Sequence, residues 1–296
     1  MRTYRDRITR LLLCLILLLA AAAFPAGQGY ADSPQPSINA SGIPNLPLSV
    51  DLIGRNEGYS AVLYNNTNGL PTSEANAITE TSEGFIWIGS YSGLIRYDGN
   101  SFVRLDSTTG IASVISLYAD GQNRLWIGTN DAGLAVMDRG ELRRWGEAEG
   151  LKSLRISSIV EDEQGRVYAA TVLGVAVIDT DMQLHHLSDP RISDAFIETM
   201  RIGNDGLIYG VTNAGDLFTL RNGELLSFLS QEESGLEDVS CVLPDPCSPG
   251  AVFLGTDGST VYYGTLDGGA EGMKARDISP LSSVSCMEYI DGQLWL

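Results

Sequence analysis

The stretch Phe85–Gly99, FIWIGSYSGLIRYDG, decides the fold, because a looser copy, LWIGTNDAGLAVMDRG, begins again at Leu125. Each copy has an aromatic–aliphatic–Gly step followed by a Gly-Leu pair, and Trp87 and Trp126 lie 39 residues apart. Further copies start at Val167, Ile208 and Val252. The aromatic marker continues at Tyr168, Tyr209, Phe253 and Trp295, in steps of 42, 41, 44 and 42 residues. A second marker runs in phase through Leu70, Ile111, Leu151, Ile192, Leu236 and Leu281, spaced 41, 40, 41, 44 and 45. Two markers with one period near 40 define a repeat architecture.

The residues inside one period say what it builds. Asn76–Thr81 alternates and stops at the turn residues Ser82-Glu83-Gly84, and FIWIGS follows, rich in β-branched and aromatic residues. LIRYDGNSFVRL is two alternating runs hinged on Asp98-Gly99, a strong short hairpin signal. The second copy turns at Asp120-Gly121 and Arg139-Gly140, and no window shows helical periodicity. Four short antiparallel strands per period make a propeller blade, so the expected class is all-β: a β-propeller with five consecutive blades from about Leu70 to Ser279 and the start of a sixth. Chain organisation is expected as a signal peptide or N-terminal anchor over residues 1–31, a flexible tether over 32–57 and propeller repeats over 58–296. Gly58–Asn66 reads as an outer strand of a ring-closing blade. The sequence stops at GQLWL inside the sixth repeat, which reads as a fragment and an open ring.

The first 31 residues set the compartment. Four arginines and one aspartate precede a run of 14 apolar residues, Leu11–Phe24, and Gly29-Tyr30-Ala31 offers small residues for cleavage before Asp32. As a helix that run spans roughly 21 Å, short of a ~30 Å bilayer core. Export to the periplasm or cell surface is the expectation. Without residues 1–31 the formal charge moves from −18 to −21. Such a surface repels phosphate backbones and argues against nucleic acid or anionic lipid as a partner.

Chemistry-bearing clusters are few. His185 and His186 are adjacent on a strand and face opposite sides, so they cannot chelate one metal together. Asp179 and Asp181 lack the glycine and closing glutamate of a calcium loop and read as a tight turn. Glu232, Glu233, Glu237 and Asp238 read as a solvated acidic loop. No phosphate-binding glycine loop, nucleophile elbow or zinc spacing occurs, so no metal, cofactor or catalytic set is assigned. Cys241, Cys247 and Cys286 read as core thiols, with a Cys241–Cys247 disulfide as the alternative.

Residues Asn68–Leu105 resemble the two-component regulator propeller repeat. Gly69-Leu70, Trp87-Ile88-Gly89, Gly93-Leu94, Tyr97-Asp98-Gly99, Asp120, Trp126-Ile127-Gly128-Thr129 and Gly133-Leu134 match its pattern. The match is close over 68–150 and fades beyond Gly150. The resemblance implies an extracytoplasmic sensor that precedes a transmembrane helix and a histidine kinase or diguanylate cyclase output, in a receptor that can be dimeric. It gives Trp87, Gly89, Gly93, Asp98, Gly99, Trp126, Gly128 and Gly133 structural roles and names no active site. A secreted propeller enzyme of the lyase or glycosidase kind and a protein-interaction scaffold are the alternatives. In a four-stranded blade, the loops after the second strand crown the face opposite the tight turns. Tyr91, Asn130, Asp131 and Asn213 are therefore the expected ligand contacts, for a small molecule with saccharides among the candidates.

Overall fold

The computed structural model describes residues 62–67, 69–105, 109–290 and 292–296. The expected signal peptide or anchor over 1–31 and tether over 32–57 lie outside them. Five four-stranded antiparallel sheets follow one another in chain order. Blade 1 is β1 (Ala77–Glu80), β2 (Ile86–Ser90), β3 (Gly93–Tyr97) and β4 (Phe102–Arg104). Blade 2 is β5 (Val114–Ala119), β6 (Leu125–Thr129), β7 (Leu134–Asp138) and β8 (Glu141–Trp145). Blade 3 is β9 (Ile156–Glu161), β10 (Val167–Thr171), β11 (Gly174–Ile178) and β12 (Leu184–His186). Blade 4 is β13 (Ile197–Ile202), β14 (Ile208–Thr212), β15 (Leu217–Arg221) and β16 (Glu224–Leu229). Blade 5 is β17 (Val239–Pro244), β18 (Ala251–Thr256), β19 (Thr260–Thr265) and β20 (Met273–Asp277). A hairpin of β21 (Glu288–Ile290) and β22 (Gln293–Trp295) begins a sixth. This is the propeller architecture read from the period, as a row of blades with no closed sheet.

Two local readings change. Val62–Asn66, the described part of the expected outer strand, carries no strand, since no described strand lies beside it to complete a ladder. Tyr64 instead packs on blade 1, edge-on to Phe102 at 5.1 Å and with its hydroxyl 3.2 Å from that of Tyr97. The acidic loop contains a one-turn helix, α1 (Gln231–Ser234). The Ser230 hydroxyl accepts from Glu233 N while the Glu233 carboxylate accepts from Ser230 N, a capping box too short to show periodicity. Among the described residues no helix is long and apolar enough to cross a membrane.

The in-phase aromatics hold blade to blade. Trp87 packs with Val114, Leu125 and Ile127 of the next blade, and Trp126 with Ile156, Ile159 and Val167. Tyr168 meets Ile197 and Met200, Tyr209 meets Val239 and Val242, and Phe253 packs against Val284 and Met287. Trp126 and Tyr168 are fully buried and Trp87 is 7% exposed. Burying 150–250 Å² of such a ring stabilises by roughly 4–6 kcal/mol at ~25 cal/mol per Å². Ile111, Leu151, Ile192 and Leu236 of the second marker lie in the same seams, whereas Leu70 is buried within blade 1 and Leu281 is half-buried.

A buried indole N–H or phenol needs an acceptor, and the turn aspartate supplies it. Asp120 accepts from Gln122 N (3.0 Å) and Arg124 N (2.8 Å) with Oδ1, and from Arg124 Nε (2.6 Å) and Trp126 Nε1 (2.7 Å) with Oδ2. Asp162 repeats the pattern with Gln164 N, Arg166 N, Arg166 Nε and the Tyr168 hydroxyl, all within 3.0 Å. That bond and burial push the Tyr168 phenol well above its ordinary value, burial being the larger cause. Blade 4 moves the carboxylate to Asp205, 2.6 Å from the Tyr209 hydroxyl. Blade 1 has Thr81 where blade 2 has Asp120, and there Thr81 Oγ1 and Trp87 Nε1 are buried without a partner among the described residues.

Two stability outcomes follow from this difference. Trp126→Phe removes one of four hydrogen bonds to the buried Asp120 carboxylate, so it costs about 1 kcal/mol more than Trp87→Phe, whose N–H bonds to no described residue. Chemical denaturation of both variants checks this, and equal losses would refute the role given to Asp120. Thr81→Asn supplies an acceptor for Trp87 Nε1 without burying a carboxylate beside Phe85, which stands where blade 2 has Arg124, and stabilises by about 1 kcal/mol, a rise of about 2–4 °C in melting temperature by calorimetry.

Candidate functional site

The innermost strands β1, β5, β9, β13 and β17 stand side by side, and their spacing is set by direct contact. At Gly89 and Gly128 the next blade comes so close that an added Cβ would meet Val114 Cγ1 at 2.5 Å and Ile156 Cγ2 at 2.8 Å. Polar side chains of one inner strand donate to the backbone of the next. Asn76 Nδ2 bonds Val114 O (2.9 Å), Ser116 Oγ bonds Ile156 O (2.7 Å), Ser157 Oγ bonds Ile197 O (2.6 Å) and Ser240 Oγ bonds Val284 O (3.3 Å). The residues just before these contacts, Ser113, Arg155 and Phe196, are thereby delivered to the face where the β2–β3, β6–β7, β10–β11 and β14–β15 turns emerge.

On that face the residues expected as ligand contacts join an arc of bonds. Ser113 N donates to Tyr91 O (3.1 Å), and Asn130 N donates to Ser113 O (2.9 Å). Arg155 Nη1 donates to Asn130 Oδ1 (2.9 Å), the Arg155 guanidinium lies 5.7 Å from the Phe196 ring centroid, and Asn213 N donates to Phe196 O (2.8 Å). Tyr91 is 55% exposed, and Asp131 and Asn213 are exposed at turn tips. Three of the four expected residues thus lie along one polar and aromatic path across blades 1 to 4, with Asp131 adjoining Asn130. Arg155, Phe196 and Ser113 were not anticipated, because linkers between repeats carry no periodic signal. The one available signal is position: each stands one residue before an innermost strand.

The opposite face is consumed by structure. Its turn groups bond the neighbouring blade: Ser82 N to Asn123 Oδ1 (2.5 Å), Gly121 N to Glu161 Oε2 (2.7 Å), Arg166 Nη1 to Asn222 O (2.9 Å) and Asn204 Nδ2 to Pro246 O (3.0 Å). Glu161 stands between Asp120 and Asp162, and burial, then the charge of Asp120, raises its carboxyl above the usual value against the pull of the Gly121 bond. Asp179 is the expected tight turn, its Oδ1 accepting from Asp181 N and Gln183 N. His185 Nε2 lies 2.9 Å from Asp179 Oδ2, whereas His186 Nε2 bonds Gly150 O at 3.0 Å, so the two rings serve different partners. Among the described residues no disulfide joins Cys241, Cys247 or Cys286. The Cys241–Cys247 alternative is not formed, and Cys247 departs from the core reading because its turn, Asp245–Gly250, leaves it exposed. Cys241 is buried, which lifts its thiol to about 11.

Blades of four antiparallel strands, joined by in-phase aromatics and opening their variable turns on one face, define a β-propeller. A profile of the two component regulator propeller family matches residues 69–92 and 111–131. No curated protein matches the sequence. Among solved structures the chain is similar to the extracellular domain of a one-component system from B. thetaiotaomicron (TM-score 0.62, 17% identity), covering 79% of this chain and 34% of that one. It is also similar to the extracellular domain of a hybrid two-component system from the same organism (TM-score 0.58, 19% identity, 79% of this chain and 32% of that one). A third similar structure is an inactive histidine-to-alanine form of virginiamycin B lyase from Staphylococcus aureus with quinupristin (TM-score 0.55, 14% identity, 70% and 71%). At these identities the likeness establishes the fold. The chain spans about a third of the length of these two extracellular domains.

The Glu161 environment gives a pH outcome. Its folded pKa is raised, so the ionised form costs stability above that value, and the cost is absent below the unfolded value near ~4.3. Glu161→Gln keeps an oxygen for Gly121 N and raises the melting temperature at pH 7 by about 1–2 °C, the group being largely solvent-screened. Melting curves across pH should show that gain vanishing towards pH ~4.

Proposed function

We propose that the chain is an extracytoplasmic ligand-sensing module of a membrane-bound signalling receptor, with two-component or diguanylate cyclase output supplied by sequence outside it. The observation that carries this reading is the arc Tyr91–Ser113–Asn130–Arg155–Phe196–Asn213. It sets an exposed phenol, amides, a guanidinium and an aromatic ring on a rigid rim, the mixture that polar ligand recognition uses. The family of the repeats and the similarity to extracellular sensor domains support it. Export also agrees with the arginine-rich start and apolar run of residues 1–24.

The likeness to a lyase favours a second reading, a secreted enzyme. That lyase form is inactive with a histidine changed to alanine, whereas the histidines here sit on β12, the outermost strand of blade 3, away from the rim. A sensor is the better fit.

The test is thermal-shift screening of the protein with a library of small polar molecules that includes saccharides. Hits are then measured by calorimetry on Tyr91→Ala, Asn130→Ala, Asp131→Ala and Asn213→Ala. The expected result is at least a tenfold loss of affinity in two or more variants, about 1.4 kcal/mol each. Unchanged affinity in all four would sink the proposal, and turnover of a hit would favour the enzyme.

A further inference from the structure

Resting on the rim as the ligand site, we propose that Arg155 is its anion contact and that the ligand is a small molecule bearing a carboxylate. Several arginines of the described residues are committed to other partners. Arg124, Arg139, Arg166 and Arg191 pair with Asp120, Asp138, Asp162 and Asp189. Arg143 and Arg221 reach the carbonyls of Met182 and Asp205 in turns on the structural face. Arg155 alone of these arginines stands on the rim, and among the described residues it forms no ion pair.

Its surroundings orient it without neutralising it. The Asn130 side chain holds Nη1 through its amide oxygen at 2.9 Å, and Asn130 is itself fixed by its backbone bond to Ser113. The half-buried Phe196 ring lies against the guanidinium, 5.7 Å from Cζ to centroid. An aromatic ring shields a guanidinium face and leaves its in-plane edge for hydrogen bonding. A guanidinium carries five N–H donors in a rigid fork, and one described bond engages it. That fork matches the two oxygens of a carboxylate, and holding the side chain in advance removes the entropy cost of ordering it on binding. The exposed carboxylate of Asp131, next to Asn130, disfavours a second negative charge and favours a hydroxyl or amine at that end of the ligand. A chain of formal charge −18 that keeps one uncompensated, pre-oriented arginine at its rim selects for a single acidic group.

The experiment uses the full chain and two probes of one shape, benzoate and the neutral benzamide. Arginine side-chain Nε–H resonances are followed by NMR, with the Arg155 signal identified by its loss in Arg155→Gln. Arg155 is exposed, so both Arg155→Gln and Arg155→Lys should keep the parent melting temperature. The expected result is a saturable shift of the Arg155 signal with benzoate and at least tenfold weaker binding of benzamide. Benzoate affinity, read from the Asn130 and Asn213 amide signals, should fall at least tenfold in Arg155→Gln and less in Arg155→Lys. Equal movement of those amides by both probes would overturn the anion contact while leaving the rim as a binding site. Benzoate affinity unchanged in Arg155→Gln would also overturn it. No rim signal moving with either probe would overturn it as well, and library hits insensitive to the four rim variants would then remove the underlying reading too.

Discussion

The molecule depends on how closely each blade approaches the innermost strand of the next. At Gly89 and Gly128 the neighbouring blade occupies the space a side chain would need, and hydroxyl and amide donors bind the carbonyls of Val114, Ile156 and Ile197 across the same gap. Interiors packed this tightly deform in steps, not continuously, so the angle between blades is set there. The residues one position earlier inherit that precision. Ser113, Arg155 and Phe196 are therefore placed by the same contacts that hold the ring together, and the rim needs no separate scaffold.

Polar bonding divides between the two faces. The structural face uses its carboxylates and arginines internally, in clamps such as Asp120–Arg124–Trp126 and Asp162–Arg166–Tyr168. Each clamp satisfies a buried aromatic polar group that would otherwise cost about 1–3 kcal/mol. The rim spends its bonds mostly on backbone groups, and the side chains of Tyr91, Asp131 and Asn213 stay exposed. A face whose side chains are already committed has little to offer a ligand. That contrast, more than the presence of any one residue type, separates the two faces.

Much of the fold was legible because repetition writes it several times. The spacing from Trp87 to Trp295, the hairpin at Asp98-Gly99 and the marker from Leu70 to Leu236 placed blades and seams before any contact was known. The turns bearing Tyr91, Asn130, Asp131 and Asn213 could be assigned to one face because strand alternation fixes which loops emerge together. Arg155 and Phe196 could not be found this way. They lie in linkers of variable length, and their importance comes from partners 25 and 41 residues away. The turn aspartates were visible as part of a motif, but their bonds to Trp126 and Tyr168 were not, since a sequence does not show which buried N–H lacks an acceptor. The helix at Ser230–Ser234 escaped because one turn is shorter than any period.

Blade 1 lacks the clamp of its neighbours, with Thr81 and Phe85 where blade 2 has Asp120 and Arg124, and the effect reaches beyond that turn. Repeat proteins are held by terms between adjacent units, so their cohesion is a series of links. The second and third blades each have a carboxylate clamp beside the seam to the next blade, while the seam between the first and second relies on Trp87 packing, the Asn76 bond and the Ser82–Asn123 bond. Local opening begins where such links are weakest. Tyr91 belongs to the first blade, whereas Asn130, Arg155, Phe196 and Asn213 belong to the next three. The row Tyr91 to Asn213 therefore crosses one seam that has packing and backbone bonds but no carboxylate clamp, and it crosses that seam between Tyr91 and Asn130.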